Sequence, residues 1–399
     1  MKKDKNKKKF EMKMSRRQVL KAGLYGGAAL MLPWRFYPKK AYATKLVPHL
    51  SDPALQPKFA ETVPNALAPG FIFDTGDSEI RVGVGEAVQY TGLVGTDGET
   101  PVPTTVWGYG QVTGSAKNPR VPGLGYTWPG RTFQVRSNEP LEVRWENRLG
   151  TLPMPVTSFG RPVIDTSLHW VYSLPGYDNF SVDINGVPIV PHVHGGHTDF
   201  QFDGNPEFFF TEDWIVRGPQ WVEKPYVYKN DQPAGTVGYH DHALGITRLN
   251  VYAGMAGFYI IRDEYDTGLQ GNPLGLPAYP YETALAIQDK MFHEDGRLFY
   301  PAYPGDPFYG DFITGEGAVL PPEIFQGGGP TALAEFFGDH MLVNGVIWPK
   351  MDVEPRNYRL RLLNGCDSRF LVIRFREALN MGATDLTGAG DPIPFTVIG

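Results

Sequence analysis

The chain has 399 residues, with 37 basic against 43 acidic side chains and a formal net charge of −6. That length allows two or more domains with sizeable cores, and the charge offers no basic surface for nucleic acid or an anionic membrane. The 47 glycines and 36 prolines stand well above the roughly 12% of average usage, and aromatics reach 13%. Together they predict short strands joined by many turns, an all-β protein.

The N-terminus is a separate object. Residues 1–17 are crowded with Lys and Arg, Ser15-Arg16-Arg17-Gln18-Val19-Leu20-Lys21 precedes an apolar run from Ala22 to Leu32, and Ala41-Tyr42-Ala43 follows. Residues 1–43 resemble a twin-arginine export signal with its cleavage site. The apolar run is far shorter than the ~20 residues that span a bilayer, so the membrane and the translocation machinery are expected as partners only during export. The expected destination is the periplasm, the cell envelope or the exterior. Without the leader, 24 basic and 41 acidic residues remain, a charge near −17. A single cysteine, Cys366, excludes an intramolecular disulfide framework.

Residues 44–68 read as an irregular arm lying on the first domain. A β-domain follows over 69–263, with alternating strands such as Leu141-Glu142-Val143-Arg144-Trp145 and a last strand near Gly257 to Ile261. Residues 264–281, rich in Gly and Pro, read as a linker, and 282–399 as a second β-domain. Within it, Pro301 to Pro330 reads as a surface loop. Val135 to Asn147 and Val353 to Asn364 share an alternating strand ended by Asn, a faint internal echo of two related sandwiches. The second sandwich is expected to be incomplete, because 282–399 offers fewer than the about seven strands a sandwich needs.

Two His-X-His pairs, His192-Val193-His194 and His240-Asp241-His242, lie 48 residues apart in a chain with only nine histidines. On a strand, side chains at i and i+2 emerge on one face. Two such strands side by side would converge four neutral imidazoles, a donor set that suits copper, zinc, iron or nickel rather than calcium or magnesium.

The flanks narrow the choice. The first pair continues as His192-Val193-His194-Gly195-Gly196-His197, and the second lies in Gly238-Tyr239-His240-Asp241-His242-Ala243-Leu244-Gly245. With Thr104 to Tyr109, Pro129 to Thr132, Leu342 to Gly345 and Val353 to Arg356, the chain resembles a multicopper oxidase, close to the bacterial spore-coat laccase and bilirubin oxidase branch. The resemblance implies cupredoxin-like Greek-key β-sandwiches, one complete and a second incomplete. It also implies a type 1 copper that takes electrons from a small reducing substrate and a trinuclear cluster that reduces dioxygen to water. By motif, His192 would bind the type 2 copper, and His194, His240 and His242 the type 3 pair. Asp203, in Phe202-Asp203-Gly204, matches a carboxylate that helps proton delivery; a turn-forming Asp before Gly is the plainer reading.

Family members supply four further cluster histidines and the type 1 His, Cys and His from a later domain, and no such motifs occur in this sequence. The chain is therefore expected to represent the N-terminal portion of a laccase-like oxidase of phenols, aromatic amines, bile pigments or metal ions, without turnover on its own. Cys366 reads as a small residue at a strand end, His197 as a neighbour of the site, and His49, His169, His293 and His340 as core or surface residues. Two alternatives stay open: a non-catalytic copper-binding or envelope structural protein, and a zinc hydrolase using His192-X-His194-X-X-His197.

Overall fold

The computed structural model describes residues 49–76, 79–112, 125–152, 154–158, 161–162, 171–222, 225–300, 336–379 and 388–398. The leader, His169 and the loop from Pro301 to Pro330 lie outside them. The described chain is mostly strand: β1 (Glu79–Val94), β2 (Pro101–Gln111), β3 (Gly130–Arg136), β4 (Leu141–Asn147), β5 (Val156–Ser158) and β6 (Arg161–Pro162) come first. A short helix α1 (Val182–Asn185) leads to β7 (Pro191–His194), β8 (Tyr226–Tyr228), β9 (Gly235–Asp241), α2 (Thr247–Ala253) and β10 (Ala256–Arg262). Then follow β11 (Glu282–Phe292), β12 (Leu298–Phe299), β13 (His340–Val343), β14 (Val346–Ile347), β15 (Arg359–Asn364), β16 (Arg376–Ala378) and β17 (Ala389–Pro392). The expected all-β class holds among the described residues.

Two four-stranded sheets, ordered β2-β1-β4-β8 and β3-β10-β9-β7, face each other. Each mixes antiparallel pairs with one parallel pair, β1 with β4 and β10 with β3, so the chain crosses between sheets rather than running as hairpins. The strands alternate as half-buried strands must: in β4, Leu141, Val143 and Trp145 face the core while Glu142 faces out. Between the sheets the filling is aromatic. Tyr109 and Tyr239 rings lie 4.9 Å apart, Phe133 and Trp145 5.9 Å, Tyr228 and Tyr259 5.9 Å, contacts each worth about 0.5–1.5 kcal/mol beyond their buried area.

A third sheet runs β14-β13-β11-β12-β5-β6, with β15 also paired to β11. Its membership is not contiguous in sequence, because Val156 and Thr157 of β5 pair with Leu298 and Phe299. The internal echo has a topological counterpart. β15 lies parallel to β11 as β4 lies parallel to β1, and both strands end in Asn. Phe258 and Ile260 of β10 pack on Ala284 and Ala286 of β11, with Ala66 and Leu67 of the arm.

The described part of the arm touches both β-regions. It is tied chiefly to the second β-region: the amides of Ser51, Phe59 and Val63 donate to Phe292, Trp348 and Lys350 carbonyls. Among the described residues, Gln56, bonded to the backbone of Val94 in both directions, Ala66, accepting from Thr132, and the packing of Ala66 and Leu67 on Phe258 and Ile260 hold it to the first. An irregular segment leaves its backbone groups unpaired, and the open side of β11 to β14 offers partners for them.

Candidate metal centre

The two His-X-His pairs sit on adjacent antiparallel strands, with His192 opposite His240 and His194 opposite Gly238. Alternation decides the rest. Pro191, Val193, Tyr239 and Asp241 point into the core, so His192, His194, His240 and His242 share the outer face. Glycines make room around them. Gly195, with φ of +86°, turns the chain away after His194, and a Cβ on Gly204, at φ +76°, would stand 2.5 Å from Cβ of His192.

Ligand nitrogens of His192, His194 and His240 lie within 4.8 Å of one another. His242 completes the group, its ring centroid 5.2 Å from that of His192 and 5.9 Å from that of His240. The tautomers follow from the hydrogen bonds. Nδ1 of His240 lies 2.7 Å from the Asp241 carbonyl, which only accepts, so this nitrogen carries the proton. Nε2 of His240 is then the acceptor, and Nδ1 of His194, 3.0 Å away, donates to it. Nδ1 of His192 and of His242 are buried without hydrogen-bond partners.

Electrostatics keep the site in its ligand form. Burial, reinforced by the neighbouring His242, pushes His192 down to about 4. Burial likewise lowers His240 to about 4 against the opposing bond to the Asp241 carbonyl. Both imidazoles are neutral at pH 7, as metal binding requires. Converging neutral nitrogens, two of them buried and unpaired, fit a soft-to-borderline cation such as copper.

Asp203 lies beside the group, its Oδ1 3.6 Å from Nδ1 of His192 and accepting from the Thr198 hydroxyl at 2.7 Å. His197 does not join the cluster. It is largely exposed, with Nδ1 3.7 Å from Asp231, and the three nitrogens that converge come from His192, His194 and His240 instead. A zinc site on His192, His194 and His197 thus lacks its geometry among the described residues. His293 and His340 are buried and bonded, to Thr157 and to Ser51 and Asp339 respectively. Cys366 is half-buried near the end of β15, where burial pushes its thiol up to about 12.

Two residues of the site escape a reading by motif. Gly204 backs the His192 ring, and Asp241, lying between two ligand candidates, faces the opposite way. A glycine one residue after the turn Asp, and a charged residue at the inward position of a core strand, were the available signals.

Residues 185–266 match the family model for multicopper oxidases. A laccase of Bacillus stratosphericus is 40% identical over 241 residues, 60% of this chain and 40% of that one. A laccase of Bacillus subtilis is 36% identical over 267 residues, 67% of this chain and 42% of that one. Among solved structures, a multicopper oxidase of Aquifex aeolicus covers 78% of this chain and 46% of its own at 21% identity, with a TM-score of 0.46. The chain spans less than half the length of the two laccases. Both histidine pairs lie inside the segment that matches the multicopper oxidase model.

Proposed function

We propose that this chain forms half of the trinuclear copper centre of a laccase-like oxidase, with His192 toward a type 2 copper and His194, His240 and His242 toward a type 3 pair. The observation that carries this is the convergence of the His192, His194 and His240 nitrogens within 4.8 Å. Bound copper, cycling between its cuprous and cupric states, would supply the electron transfer to dioxygen. The protein's own contribution is positional. The Asp241 carbonyl fixes the His240 ring by accepting from its Nδ1, so Nε2, which in the metal-free site accepts from His194, is the nitrogen that would bind copper. Asp203, half-exposed and 3.6 Å from Nδ1 of His192, would pass protons between solvent and the site in this reading.

The reducing substrates in this reading are phenols, aromatic amines, bile-pigment-like molecules or metal ions. Electron entry needs a type 1 His, Cys and His set, and Cys366 has no histidine nearby in sequence. Four-electron reduction of dioxygen therefore requires ligands beyond the four described, and the segment alone is expected to bind copper without turnover. Residues 1–43, which resemble an export leader, support twin-arginine export to the periplasm, envelope or exterior as part of this reading.

Copper titration of the full chain, with metal content and cupric EPR as readouts, tests the assignment. Binding that disappears when His192, His194, His240 and His242 are all changed to Ala supports it. Equal copper uptake by wild type and quadruple variant would falsify it.

A further inference from the structure

The alternation that turns His240 and His242 outward turns the carboxylate between them inward, where Asp241 is fully buried. There it accepts three hydrogen bonds. Oδ1 takes the amide of Val190 at 2.8 Å; Oδ2 takes the amide of Ala243 at 3.0 Å and Nδ2 of Asn250 at 2.8 Å. The donors come from three places. Val190 stands two residues ahead of His192, Ala243 follows His242, and Asn250 sits on α2 and also donates to the Pro188 carbonyl at 3.2 Å.

The pairing of β7 with β9 ends at Pro191 and Asp241. Beyond it His242 continues past the ladder, held to the neighbouring segment by its own amide on the Val190 carbonyl at 2.8 Å. The Asp241 side chain supplies the other ties across that gap. The two imidazoles on either side of it, His192 and His242, are those whose buried Nδ1 atoms have no hydrogen-bond partner, so backbone placement sets their separation.

We infer that Asp241 is a positioning residue for the metal centre: its carboxylate locks the segment before His192 to the segment after His242 and so fixes the offset between the two histidine pairs. The inference rests on the copper reading above for its purpose, and on the hydrogen bonds alone for its mechanics. A three-donor buried carboxylate is also costly to replace, since each donor left without an acceptor pays its desolvation in full.

The test uses the full chain carrying Asp241→Asn, with Asn250→Ala as a second variant and Tyr259→Phe as a control. The control removes a core hydrogen bond to Asn230 of 2.6 Å that joins different segments. In Asp241→Asn the remaining oxygen serves Val190, and an NH2 group meets the Ala243 amide. Metal-free, hydrogen exchange at the Ala243 amide should accelerate by about tenfold or more relative to the control, while copper affinity falls about tenfold or more and the cupric EPR hyperfine splitting changes. Unchanged exchange at Ala243 overturns the inference, and so does an equal loss of copper affinity in Tyr259→Phe. If wild type takes up no copper the metal reading fails, and exchange at Ala243 still decides whether Asp241 sets the offset. Should Asp241→Asn not fold, Asn250→Ala carries both readouts.

Discussion

His192 and His240 stand directly opposite each other across β7 and β9, with ring centroids 5.3 Å apart and planes at 84°. Neither ring is stacked on the other, so each presents an edge nitrogen to a shared space, the arrangement from which multidentate metal binding follows. His240→Ala removes one ligand and also the acceptor that orients His194. Copper affinity of the chain, measured by competition with a chromophoric chelator, should fall about tenfold or more, while His197→Ala keeps wild-type affinity. The reverse ranking would assign the metal to the wrong histidines.

Gly204→Ala is a sharper probe of the same site, because it leaves every ligand in place. Its Cβ would meet Cβ, Cγ and Nδ1 of His192 at 2.5, 2.6 and 2.8 Å, and the backbone there has φ of +76°. The left-handed conformation alone costs an L-residue about 1 kcal/mol or more, and the ring must also move. The expected outcome is a modest fall in melting temperature together with weakened copper binding. A variant that loses stability yet binds copper as wild type does would show that the His192 ring tolerates displacement.

The histidine pairs were legible in the sequence because strand alternation is rigid: i and i+2 share a face wherever the strand lies, so pairing two such strands converges four rings. The opposition of His192 and His240 in particular needed the register of β7 on β9, which no local pattern encodes. Asp241 shows the limit in another way. Its inward direction follows from the same alternation, but its donors Val190 and Asn250 lie 51 and 9 residues away, and a buried carboxylate is intelligible only once they are known. Asp266, within the Gly- and Pro-rich linker, is a further case. Its partners come from β10 and β15, which no local pattern shows.

Those partners make a buried charge cluster. Asp266 accepts from Arg262, Arg359 and Arg361, and Glu282 from Arg262 and Arg361, with every one of these bonds between 2.6 and 2.9 Å. Burial alone would raise the Asp266 carboxyl, but the bonds from Arg359 and Arg361 and the Arg262 charge overcome it and hold it well below the usual range; Glu282 is lowered in the same way. Groups depressed on folding contribute stability that is complete above their unfolded values near 4 and is lost as pH falls toward the folded ones. Urea midpoints should therefore drop steadily below about pH 4. Asp266→Asn, which leaves three arginines sharing Glu282, should cost about 3–5 kcal/mol at pH 7 and flatten that acid limb. An unchanged acid limb would place the acid sensitivity elsewhere.

Lys290 gives the opposite limb. It lies buried on β11, its Nζ donating to the Tyr252 carbonyl at 2.8 Å and standing 3.9 Å from the centre of the Tyr252 ring. Burial pushes it down to about 8, with the nearby Asp289 and Asp367 opposing. Below pH 8 both folded and unfolded chains hold this proton, and the folded one bears the cost of burying it. Between about 8 and 10 the folded amine sheds the proton while the unfolded chain retains it, so this residue's contribution to stability rises with pH, by at most about 3 kcal/mol. Lys290→Met keeps the bulk without the charge, and its stability should lack that rise. Urea midpoints of both chains at pH 7.5, 8.5 and 9.5 decide it: a wild-type curve that climbs relative to the variant supports a desolvated ammonium, and parallel curves mean the aromatic ring and the carbonyl fully replace the water that Lys290 gave up.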